Sequence, residues 1–482
     1  MNGDFTDWYK VKANANILIL NKEKKEIEQY KNQKYDYIYL NGTLENSKQI
    51  INSKNPTVDL IKFFKELLNE NGILFIAVDN KIGVKYLVGD KSEHCNNIYD
   101  SLKGEFCIGE LFSKKELDEI IEKTGFKYKK YYYPLPNYQN PNVIFTDEKL
   151  PSMKDSKLNY NFIYDENSLI LQDEINLLKI FNEENKFIEF TNSYIIELSN
   201  KEINTDIKYY SFNNMRKDKY SLILRMKDGY VEKYPKTEEA IEHIKNINKY
   251  SQRLKELGFY IAEEENCEDI VRSKFINLEL LDEQIVKSIE DKQKTYELID
   301  NWYKYISEKL NVSQGGIVEE GFIDLVFENT FFDAKKGEYI FFDQEWFEKN
   351  VPIKFILFRA IKNLYEHNPR INTKLPKEEM FDKYQLKEHI EEFTKREEQF
   401  QKEIIDEQKK KFYEQQYKYK ITSEEIQKVI DDVKRLDKDN VELLREIKRL
   451  EEKIKYQDDI IKKSIEKNRT IIDKIKEKIL KK

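Results

Sequence analysis

The chain has 482 residues, more than one ordinary hydrophobic core can organise, so we expect two globular domains and an extended segment. Charged residues make up 36% and apolar residues 39% of the sequence, and much of the charge lies beyond residue 377. The formal net charge is −7, with 83 basic and 90 acidic residues intermixed. This balance argues against nucleic-acid binding, because no global field would attract a polyanion.

The sequence contains three cysteines, Cys95, Cys107 and Cys267, without the spacing of a metal-binding motif. An odd number of dispersed cysteines does not form a disulfide framework, so we expect reduced thiols. No apolar segment is long enough to span a bilayer, and the first residues lack the basic and apolar regions of a secretion signal. The predicted location is therefore cytoplasmic.

Residues 1–150 alternate short apolar runs with helical periodicity, which is the order of an α/β domain. The apolar runs predict buried strands at Asn16–Leu20, Tyr37–Leu40 and Ile73–Asp79, and the segment Pro56–Asn69 predicts a helix. Nearly continuous apolar strands are typical of a parallel sheet that is covered on both faces. We therefore predict a Rossmann-like α/β domain over residues 1–150, followed by a connecting region over residues 151–200.

Residues 201–376 show a different pattern, in which strands rich in Tyr and Phe precede helical segments and a hairpin. The predicted strands are Ser221–Arg225 and Tyr230–Tyr234, the predicted helices are Thr237–Leu257, Asp282–Leu310 and Lys354–Tyr365, and the predicted hairpin pairs Asn329–Asp333 with Glu338–Asp343. A small sheet followed by helices and a hairpin is the order of an α+β, protein-kinase-like domain.

Three polar residues of this domain have the spacing of a phosphotransferase site. Asp324 and Asn329 have the D-x4-N spacing of a kinase catalytic loop, and Asp343 ends the second hairpin strand. Phosphoryl transfer requires a carboxylate near the acceptor hydroxyl, oxygen ligands for a metal ion and a cation on the donor phosphates. We assign Asp324 as the candidate catalytic base and Asn329 and Asp343 as candidate metal ligands. The alternative is that the three residues only cap turns and end a strand.

Further charged residues bear on the same site. Lys233 lies in the apolar strand YVEKY shortly before a helix, where a phosphate-binding lysine is expected, although a solvent-facing lysine of an edge strand has the same pattern. Glu239 or Glu242 of that helix could form an ion pair with Lys233 and complete the nucleotide- and phosphate-binding group. Glu345, two residues after Asp343, is either a further metal contact or an exposed acidic residue.

A glycine-rich phosphate loop is missing from the expected place. The segment Asn213–Ser221, with the sequence NNMRKDKYS, contains no glycine. Glycine loops bind phosphates through backbone N–H groups that approach the ligand closely. If a nucleotide binds, we expect other backbone groups or the side chains of Arg216 and Lys217 to contact it.

The last hundred residues predict a coiled coil. Beyond Pro376 the sequence has neither proline nor glycine, and apolar residues follow a heptad between Ile426 and Ile461. The a positions are Ile426, Val433, Asn440, Ile447, Ile454 and Ile461, and the d positions are Val429, Leu436, Leu443, Leu450 and Gln457. We predict a helical coiled coil over residues 377–482 and a homo-oligomer formed through residues 426–461. β-Branched residues at a with Leu at d favour a dimer, whereas like-charged flanking positions and a wide apolar seam leave a trimer open.

Seven segments carry a family resemblance that covers almost the whole chain. They are Tyr35–Glu45, Asn71–Gly89 with His94, Tyr131–Pro151, Asn214–Tyr220, Lys233, Asp324–Asn329 and Phe341–Trp346. At these residues the chain resembles the bifunctional methyltransferase–kinase proteins that cap and set the length of bacterial O-antigen polysaccharides. The resemblance implies a methyltransferase-like domain, a kinase-like domain and a coiled coil that acts as a molecular ruler.

The α/β domain departs from an active methyltransferase at its start. Such an enzyme binds S-adenosylmethionine with a glycine-rich turn after its first strand and an acidic residue at the end of its second. The residues before Tyr35 contain a single glycine, Gly3, so the first βαβ unit is truncated and S-adenosylmethionine is a doubtful cofactor. His94 is either a residue of the former site or a structural histidine.

From these features we predict a phosphotransferase that uses ATP and Mg²⁺ to phosphorylate a sugar hydroxyl in bacterial surface-polysaccharide biosynthesis, with a glycosyltransferase as partner. One alternative is a non-catalytic scaffold or chain-length ruler with two degenerate enzyme folds, and a second is a methyltransferase that uses S-adenosylmethionine. The basic, amphipathic segment Ile471–Lys482 is either the end of the coiled coil or a peripheral contact at the inner face of the membrane.

Overall fold

The computed structural model describes residues 5–21, 27–95, 97, 99–103, 107–151, 174–203, 207–264, 269–415 and 423–480. Cys267, Gly3, residues 152–173 of the predicted connecting region and the last two residues of the segment 471–482 lie outside the described residues. The chain forms two compact units, Met1–Tyr419 and Lys420–Lys482. The two globular domains that the length predicted therefore belong to one unit.

The described strands all belong to the first unit, which also contains every helix except the last. The strands are β1 (Ile17–Asn21), β2 (Tyr35–Asn41), β3 (Leu68–Asp79), β4 (Tyr128–Leu135), β5 (Val143–Thr146), β6 (Ser193–Ser199), β7 (Tyr209–Phe212), β8 (Leu222–Lys227), β9 (Tyr230–Pro235), β10 (Val271–Lys274), β11 (Ile317–Phe322), β12 (Thr330–Asp333), β13 (Glu338–Phe341) and β14 (Phe347–Pro352). The helices are α1 (Ser47–Ile50), α2 (Pro56–Glu66), α3 (Val84–Leu87), α4 (Asp100–Lys103), α5 (Lys114–Glu122), α6 (Glu174–Glu183), α7 (Phe187–Phe190), α8 (Ile241–Glu256), α9 (Leu281–Ser288), α10 (Lys292–Lys309), α11 (Ile353–His367), α12 (Lys377–Lys383), α13 (Ile390–Ile404), α14 (Glu407–Gln415) and α15 (Ser423–Leu480).

Ten strands form one continuous sheet in the order β1-β2-β3-β6-β4-β5-β7-β8-β9-β10. β1, β2 and β3 are parallel, and β6 is antiparallel to β3. The apolar runs that predicted the parallel strands are buried, as the inaccessible side chains of Ile38, Leu40 and Ile76 show. The three predicted strands and the predicted helix after Pro56 are confirmed, with ends that differ by a few residues.

The two faces of this sheet are covered differently. Side chains alternate along each strand, so Ile38 and Leu40 pack under α2 and α5, whereas Tyr37 and Tyr39 face the opposite side. On that opposite side the N-terminal residues cover the sheet with aromatic rings, and the ring of Phe5 lies 4.8 Å from that of Phe75. Both faces of the parallel strands are therefore buried, as their composition predicted.

β6 is a central strand within the range predicted as a connecting region. It lies between β3 and β4, is antiparallel to both and is buried along its whole length. Glu197 at its centre accepts hydrogen bonds from the hydroxyls of Tyr9 at 2.8 Å and Tyr132 at 2.7 Å, and burial raises the pKa of its carboxyl. Its partner strands lie far away in the sequence, so no local pattern indicated this position.

The kinase-like part continues the same sheet. β7, β8, β9 and β10 form its far edge, and α8 packs on them through Ile244 and Ile247. The residues from α9 onward form a second core around Trp302 and Phe327, whose ring centroids are 4.6 Å apart, together with the two-stranded sheets β11–β14 and β12–β13. The predicted strands and hairpin of this part are confirmed, as is the helix that was predicted after the hairpin, at α11.

The long helix predicted over Asp282–Leu310 is two helices. α9 ends at Ser288 and α10 begins at Lys292. The carboxylate of Asp291 accepts a hydrogen bond from the backbone N–H of Lys294 at 3.1 Å, which caps the second helix. Aspartate competes for backbone hydrogen bonds, and it therefore favours a new helix start at this position.

The second unit is the 58-residue helix α15. The heptad side chains form an exposed apolar stripe on this single helix, with 59% of Val433, 61% of Leu443 and 59% of Ile454 accessible. Within the described part of the chain, no helix is long and apolar enough to cross a membrane. The predicted fold class is confirmed in its three components: an α/β part, a kinase-like α+β part and a long C-terminal helix.

Candidate active site

Lys233 reaches the candidate site from β9, an interior strand. The register places it beside Leu224 of β8 and Val271 of β10, so the edge-strand interpretation is wrong. Side chains alternate along the strand, and Val231 and Lys233 line a cavity of about 300 Å³. The side chain of Lys233 is 11% exposed. The largely buried ammonium group of Lys233 is therefore directed from β9 into this cavity.

Asn329 connects the two aspartates of the predicted constellation. Its Nδ2 donates to the backbone carbonyl of Asp324 at 3.2 Å and to the backbone carbonyl of Asp343 at 3.4 Å. None of the described residues donates a hydrogen bond to its Oδ1, so this oxygen is available to a cation. The structure therefore brings Asp324, Asn329 and Asp343 together in one place.

Asp343 presents a carboxylate to the cavity from an unusual backbone conformation. Its φ is +59°, a left-handed value that aspartate tolerates better than most residues. Its N–H donates to Oε1 of Glu263 at 2.7 Å, and its carboxylate, 38% exposed, pairs with Lys233. Carboxylate and amide oxygens are ligands that Mg²⁺ prefers, and a cation already lies against Asp343. The carboxylate of Asp343 and Oδ1 of Asn329 are therefore of the ligand type that suits Mg²⁺.

Glu345 is the buried partner of two cations. Its side chain is 5% exposed, and Oε1 accepts from Nζ of Lys233 while Oε2 accepts from Nη1 of Arg216, both at 2.5 Å. Burial alone would raise the pKa of Glu345, but the charges of Arg216 and Lys233 outweigh it and hold the pKa well below its ordinary value. Glu345 is therefore an anion at neutral pH, and the interpretation as an exposed acidic residue is wrong.

The structure does not bring Glu239 or Glu242 to Lys233. Both glutamates are exposed, and the inward face of α8 carries His243 beside them. Nε2 of His243 lies 3.6 Å from Oε2 of Glu345. Lys233 pairs instead with Glu345, in the segment after the hairpin. The two glutamates point toward solvent, because the periodicity of the helix places His243 on the inward face.

Asp324 is buried beside Arg359. Its Oδ1 accepts from Nη1 of Arg359 at 3.2 Å, and its Oδ2 accepts from the backbone N–H of Glu345 at 3.0 Å. Burial raises the pKa of Asp324 to about 6, although the charge of Arg359 opposes the change. A general base is most effective when its pKa lies near the operating pH. The environment of Asp324 is therefore compatible with the role that the spacing predicted.

The cavity combines one charged end with a large apolar part. Lys233, Glu263 and Asp343 lie at the charged end. The apolar lining includes Leu224, Val231, Ala262, Ile276, Phe331 and Phe342. A concave, mostly apolar space with a few convergent polar groups is typical of small-molecule binding sites.

Glu263 is a site residue that sequence analysis missed. It is buried, and burial raises the pKa of its carboxyl to about 7. Its Oε1 holds the N–H of Asp343, while its Oε2 has no hydrogen-bond partner among the described residues. Glu263 begins a run of three glutamates, and nothing in that run indicates which of them faces inward.

Of the two basic residues that were expected to contact a nucleotide from the glycine-free loop, one reaches the site. The guanidinium of Arg216 contacts Glu345, as described above. Lys217 points away, because its Nζ donates to the backbone carbonyl of Lys402 at 3.0 Å. The loop of residues 213–221 therefore contributes a side-chain cation to the site, not a cradle of glycine backbone.

A second charged cluster lies at the carboxyl ends of β2 and β3 in the α/β part. Oδ2 of Asp79 accepts from Nζ of Lys85 at 2.8 Å and from the hydroxyl of Tyr86 at 2.9 Å. Oε1 of Glu45 accepts from the N–H of Asp79 at 2.8 Å, and Oε2 of Glu45 pairs with Nε2 of His94. The five side chains are largely buried and bond one another, which places His94 in a structural network.

The loop that carries His94 is closed by a disulfide between Cys95 and Cys107. The prediction of reduced thiols is therefore wrong for this pair, whose Cα atoms lie 4.1 Å apart. Gly109 packs against the imidazole, since a Cβ at this position would lie 2.6 Å from Nδ1 of His94. The pairing of the cysteines depends on the fold of the whole loop, which their number and dispersion did not indicate.

The start of the α/β part does not fit S-adenosylmethionine. No glycine occurs between Ile17 and Asn41, and the described residues between β1 and β2 form a short 3-10 turn at Ile27–Tyr30. A cofactor of this class needs a close backbone approach and the N-terminus of an α-helix at this position. Methyl transfer therefore has no support in these residues.

No protein-family model matches the sequence. No curated protein matches it either. Several solved structures align with parts of the chain at low TM-scores. A SAM-dependent methyltransferase from Thermotoga maritima, described as a possible histamine N-methyltransferase, is 14% identical over 35% of this chain and 57% of its own, with a TM-score of 0.19.

Two further solved structures also align with part of the chain. The streptomycin–ATP–APH(2″)-IIa ternary complex is 12% identical over 40% of this chain and 90% of its own, with a TM-score of 0.23. WbdD is 10% identical over 70% of this chain and 63% of its own, with a TM-score of 0.23. The chain spans less than two thirds of the length of the methyltransferase and of WbdD, and at these identities the similarity concerns the fold alone.

Proposed function

We propose that the protein is a phosphotransferase that uses ATP and Mg²⁺ to phosphorylate a sugar hydroxyl in bacterial surface-polysaccharide biosynthesis. The observation that carries this proposal is that Lys233 and Asp343 form an ion pair and line one cavity, while Asn329 joins the backbone of Asp343 to that of the buried Asp324. The choice of a saccharide acceptor rests on the sequence resemblance to the methyltransferase–kinase proteins of O-antigen synthesis.

Lys233 and Arg216 are the groups that bind the donor phosphates in this mechanism. Both cations are directed to one place by Glu345, so their side chains are ordered before a nucleotide arrives. Preorganised side chains lose less conformational entropy when a ligand binds. Mg²⁺ held by Asp343 and Asn329 would neutralise negative charge on the phosphates.

Asp324 orients the acceptor hydroxyl and accepts its proton. Arg359 and the backbone N–H of Glu345 fix the two carboxylate oxygens, so the position of the base is set by the fold. Each oxygen keeps a further lone pair that a hydroxyl can approach. The buried surroundings exclude bulk water and strengthen this hydrogen bond.

Calorimetric titration of the full chain with ATP in the presence of Mg²⁺ tests the proposal. We expect binding by the wild-type protein and a loss of at least about tenfold in affinity for Lys233→Met, because a charge-assisted contact to phosphate is removed. The matched control is Glu242→Gln, whose exposed side chain should leave affinity unchanged. Transfer of phosphate from ATP to a lipid-linked glycan is the second measurement, and its complete absence would contradict the proposed acceptor.

A second candidate is a non-catalytic scaffold or chain-length ruler. It is favoured by the loop of residues 213–221, which lacks glycine and whose backbone N–H at Lys217 is already bonded to the carbonyl of Ile404 at 2.9 Å. A scaffold has no requirement for phosphate-binding N–H groups. Thermal unfolding separates the two candidates, because no rise in melting temperature with ATP and Mg²⁺ would favour the scaffold.

The proposal extends to assembly and location. The apolar heptad of α15 supports a homo-oligomer through residues 426–461, because a stripe of this length is unfavourable in water. We propose that the oligomer associates with a glycosyltransferase in the cytoplasm, with the basic segment 471–482 as a peripheral membrane contact. Sedimentation equilibrium of the full chain would report its mass, and a monomer would contradict this arrangement.

A further inference from the structure

Residues 390–409, which follow the kinase-like part in sequence, pack against the candidate active site. We call this segment the strap; it comprises α13, Ile405, Asp406 and the start of α14. Its composition predicted coiled coil, yet Phe393, Glu397 and Ile404 are buried in the first unit. The strap contacts the site at three places.

The first contact leads from the strap to Asp324. Nε of Arg359 donates to Oε2 of Glu397 at 2.8 Å, and Nη1 of the same guanidinium donates to Oδ1 of Asp324 at 3.2 Å. The side chains of Arg359 and Glu397 are each 7% exposed. A guanidinium is planar and rigid, so an acceptor that fixes Nε also fixes the direction of Nη1. Glu397 thereby helps to set the orientation of the group that holds the candidate base, together with the backbone carbonyl of Ile323, which also accepts from Nη1 of Arg359.

The second contact leads from the strap to the loop of residues 213–221. The N–H of Lys217 donates to the carbonyl of Ile404 at 2.9 Å, and the N–H of Asp406 donates to the carbonyl of Met215 at 2.9 Å. These two bonds flank Arg216, which forms a β-bridge with Ile405. The backbone of Arg216 therefore pairs with the strap as in a short antiparallel sheet.

Side chains reinforce this second contact. Nζ of Lys409 donates to the carbonyl of Arg216 at 3.0 Å and to Oδ1 of Asp218 at 2.7 Å. Oε1 of Glu403 accepts from Nζ of Lys219 at 2.5 Å. A loop that lacks glycine is thus fixed from outside by the strap.

The third contact lies between the other two. The ring of Phe400 meets that of Trp346 edge to face, with 5.3 Å between centroids, and Trp346 directly follows Glu345. Nε and Nη2 of Arg396 both donate to Oε2 of Glu348, at 3.0 Å and 2.5 Å. The strap therefore contacts Arg359, the loop of residues 213–221 and the segment that follows Glu345.

We propose that the strap contributes to catalysis by positioning two residues of the active site. Glu397 is a positioning residue that acts on Asp324 through Arg359, and Lys409 is a positioning residue that acts on Arg216 through the loop backbone. The inference rests on the phosphotransferase function proposed above. The two positioning residues affect different steps, because Asp324 serves the acceptor and Arg216 serves the donor phosphates.

The test uses the full chain and ATP turnover in the presence of Mg²⁺, with the acceptor replaced by water. Glu397→Gln should lower kcat about tenfold, since small displacements of a catalytic group are costly, and should leave the KM for ATP within about twofold. Lys409→Met should raise the KM about fivefold, the effect of one hydrogen bond to a charged group, with little change in kcat. The matched controls are the exposed neighbours Glu398→Gln and Lys411→Met, which should behave as wild type.

A double substitution distinguishes positioning from general loss of structure. In an Asp324→Asn background, Glu397→Gln should cause no further loss of turnover, because the group that it positions is no longer a base. Glu397→Asp should restore part of the kcat lost in Glu397→Gln. Equal kcat in Glu397→Gln and wild type, or an equal further loss in the Asp324→Asn background, would overturn the role of the strap and leave the phosphotransferase proposal intact. A wild-type chain that neither binds nor turns over ATP would overturn both.

Discussion

The first unit contains two clusters of buried charge that are constructed alike but differ in their access to solvent. At the ends of β2 and β3, Asp79 pairs with Lys85 beneath a loop that is closed by a disulfide. After the β12–β13 hairpin, Glu345 pairs with Arg216 and with Lys233, and Lys233 lines a cavity of about 300 Å³. In the first cluster the polar groups bond one another, whereas in the second the carboxylate of Asp343 is 38% exposed.

The difference shows what a buried ion pair does and does not indicate. Two charges removed from water need close partners, and both clusters provide them, so the pairing alone reflects the cost of desolvation. A functional interpretation requires in addition a space where a ligand can meet the charged groups. The following predictions test this distinction, beginning with the largest expected effect.

Replacing the candidate base should have the largest effect. Asp324→Asn keeps the shape of the side chain but removes its basicity, and we expect ATP-dependent phosphate transfer to fall about a thousandfold. ATP affinity should change less than about twofold, because Asp324 does not face the donor phosphates. Asp324→Ala should be as inactive. Glu45→Gln in the other cluster is the control, and a comparable loss of turnover in that variant would remove the distinction between the two clusters.

Removing a cation from the first cluster should affect stability and not catalysis. Lys85→Met leaves the carboxylate of Asp79 buried without its ammonium partner, and we expect the free energy of unfolding to fall by about 4 kcal/mol. Chemical unfolding followed by tryptophan fluorescence measures this change. Lys81→Met is the matched control, since its partner Glu116 is 44% exposed and the loss should stay below about 1 kcal/mol. Turnover at a permissive temperature should be unchanged in both variants.

Glu263 should make stability depend on pH. Burial raises the pKa of its carboxyl from 4.5 to about 7, so the folded state binds the proton more tightly than the unfolded state. The tighter proton binding stabilises the folded state fully at pH values below the pKa of Glu263 in the unfolded chain. This stabilisation is lost as the pH rises through the pKa of Glu263 in the folded chain. We expect the wild-type chain to lose about 3 kcal/mol relative to Glu263→Gln between pH 4.5 and about pH 8. A constant difference in unfolding free energy between the two proteins across that range would contradict the assignment. Asp324 is present in both proteins, so its contribution cancels in this difference.

Reduction of the disulfide should have the smallest effect. The bond closes a loop between Cys95 and Cys107, so its loss increases the conformational entropy of the unfolded chain and should lower the free energy of unfolding by about 2 kcal/mol. Thermal unfolding with and without a thiol reductant measures the change, and a Cys95→Ser, Cys107→Ser double variant should show no response to the reductant. Phosphate transfer should be insensitive to reduction, because the loop belongs to the cluster that lacks a role in catalysis.

Elements with a local signal could be predicted from the sequence. β3 follows from the apolar run before Asp79, and the β12–β13 hairpin follows from two short apolar runs and a turn in which Gly337 has a φ of +68°. Lys233, Asp324, Asn329 and Asp343 were found because their spacing depends on adjacent elements. In the structure Lys233 pairs with Asp343, and Asn329 donates to the backbone carbonyls of Asp324 and Asp343.

Features that depend on distant segments could not be predicted. β6 is defined by its pairing with β3 and β4, and Glu345 becomes the partner of Lys233 only when the hairpin meets the sheet. The turn and helix after β9 carry Glu239, Glu242 and His243 close together, so a rotation of one position changes which residue faces inward. Arg359 and Glu397 meet across 38 residues, and no periodicity relates them.

The continuous sheet also constrains how this protein can be divided or altered. Val143–Phe145 of β5 pair with Tyr209–Ser211 of β7, so the α/β part and the kinase-like part share backbone hydrogen bonds. Separate expression of either part would leave an unpaired strand edge, which promotes aggregation. A substitution in β5 can therefore reach the candidate active site without contacting it, because β5 pairs with β7 in the sheet on which Lys233 stands.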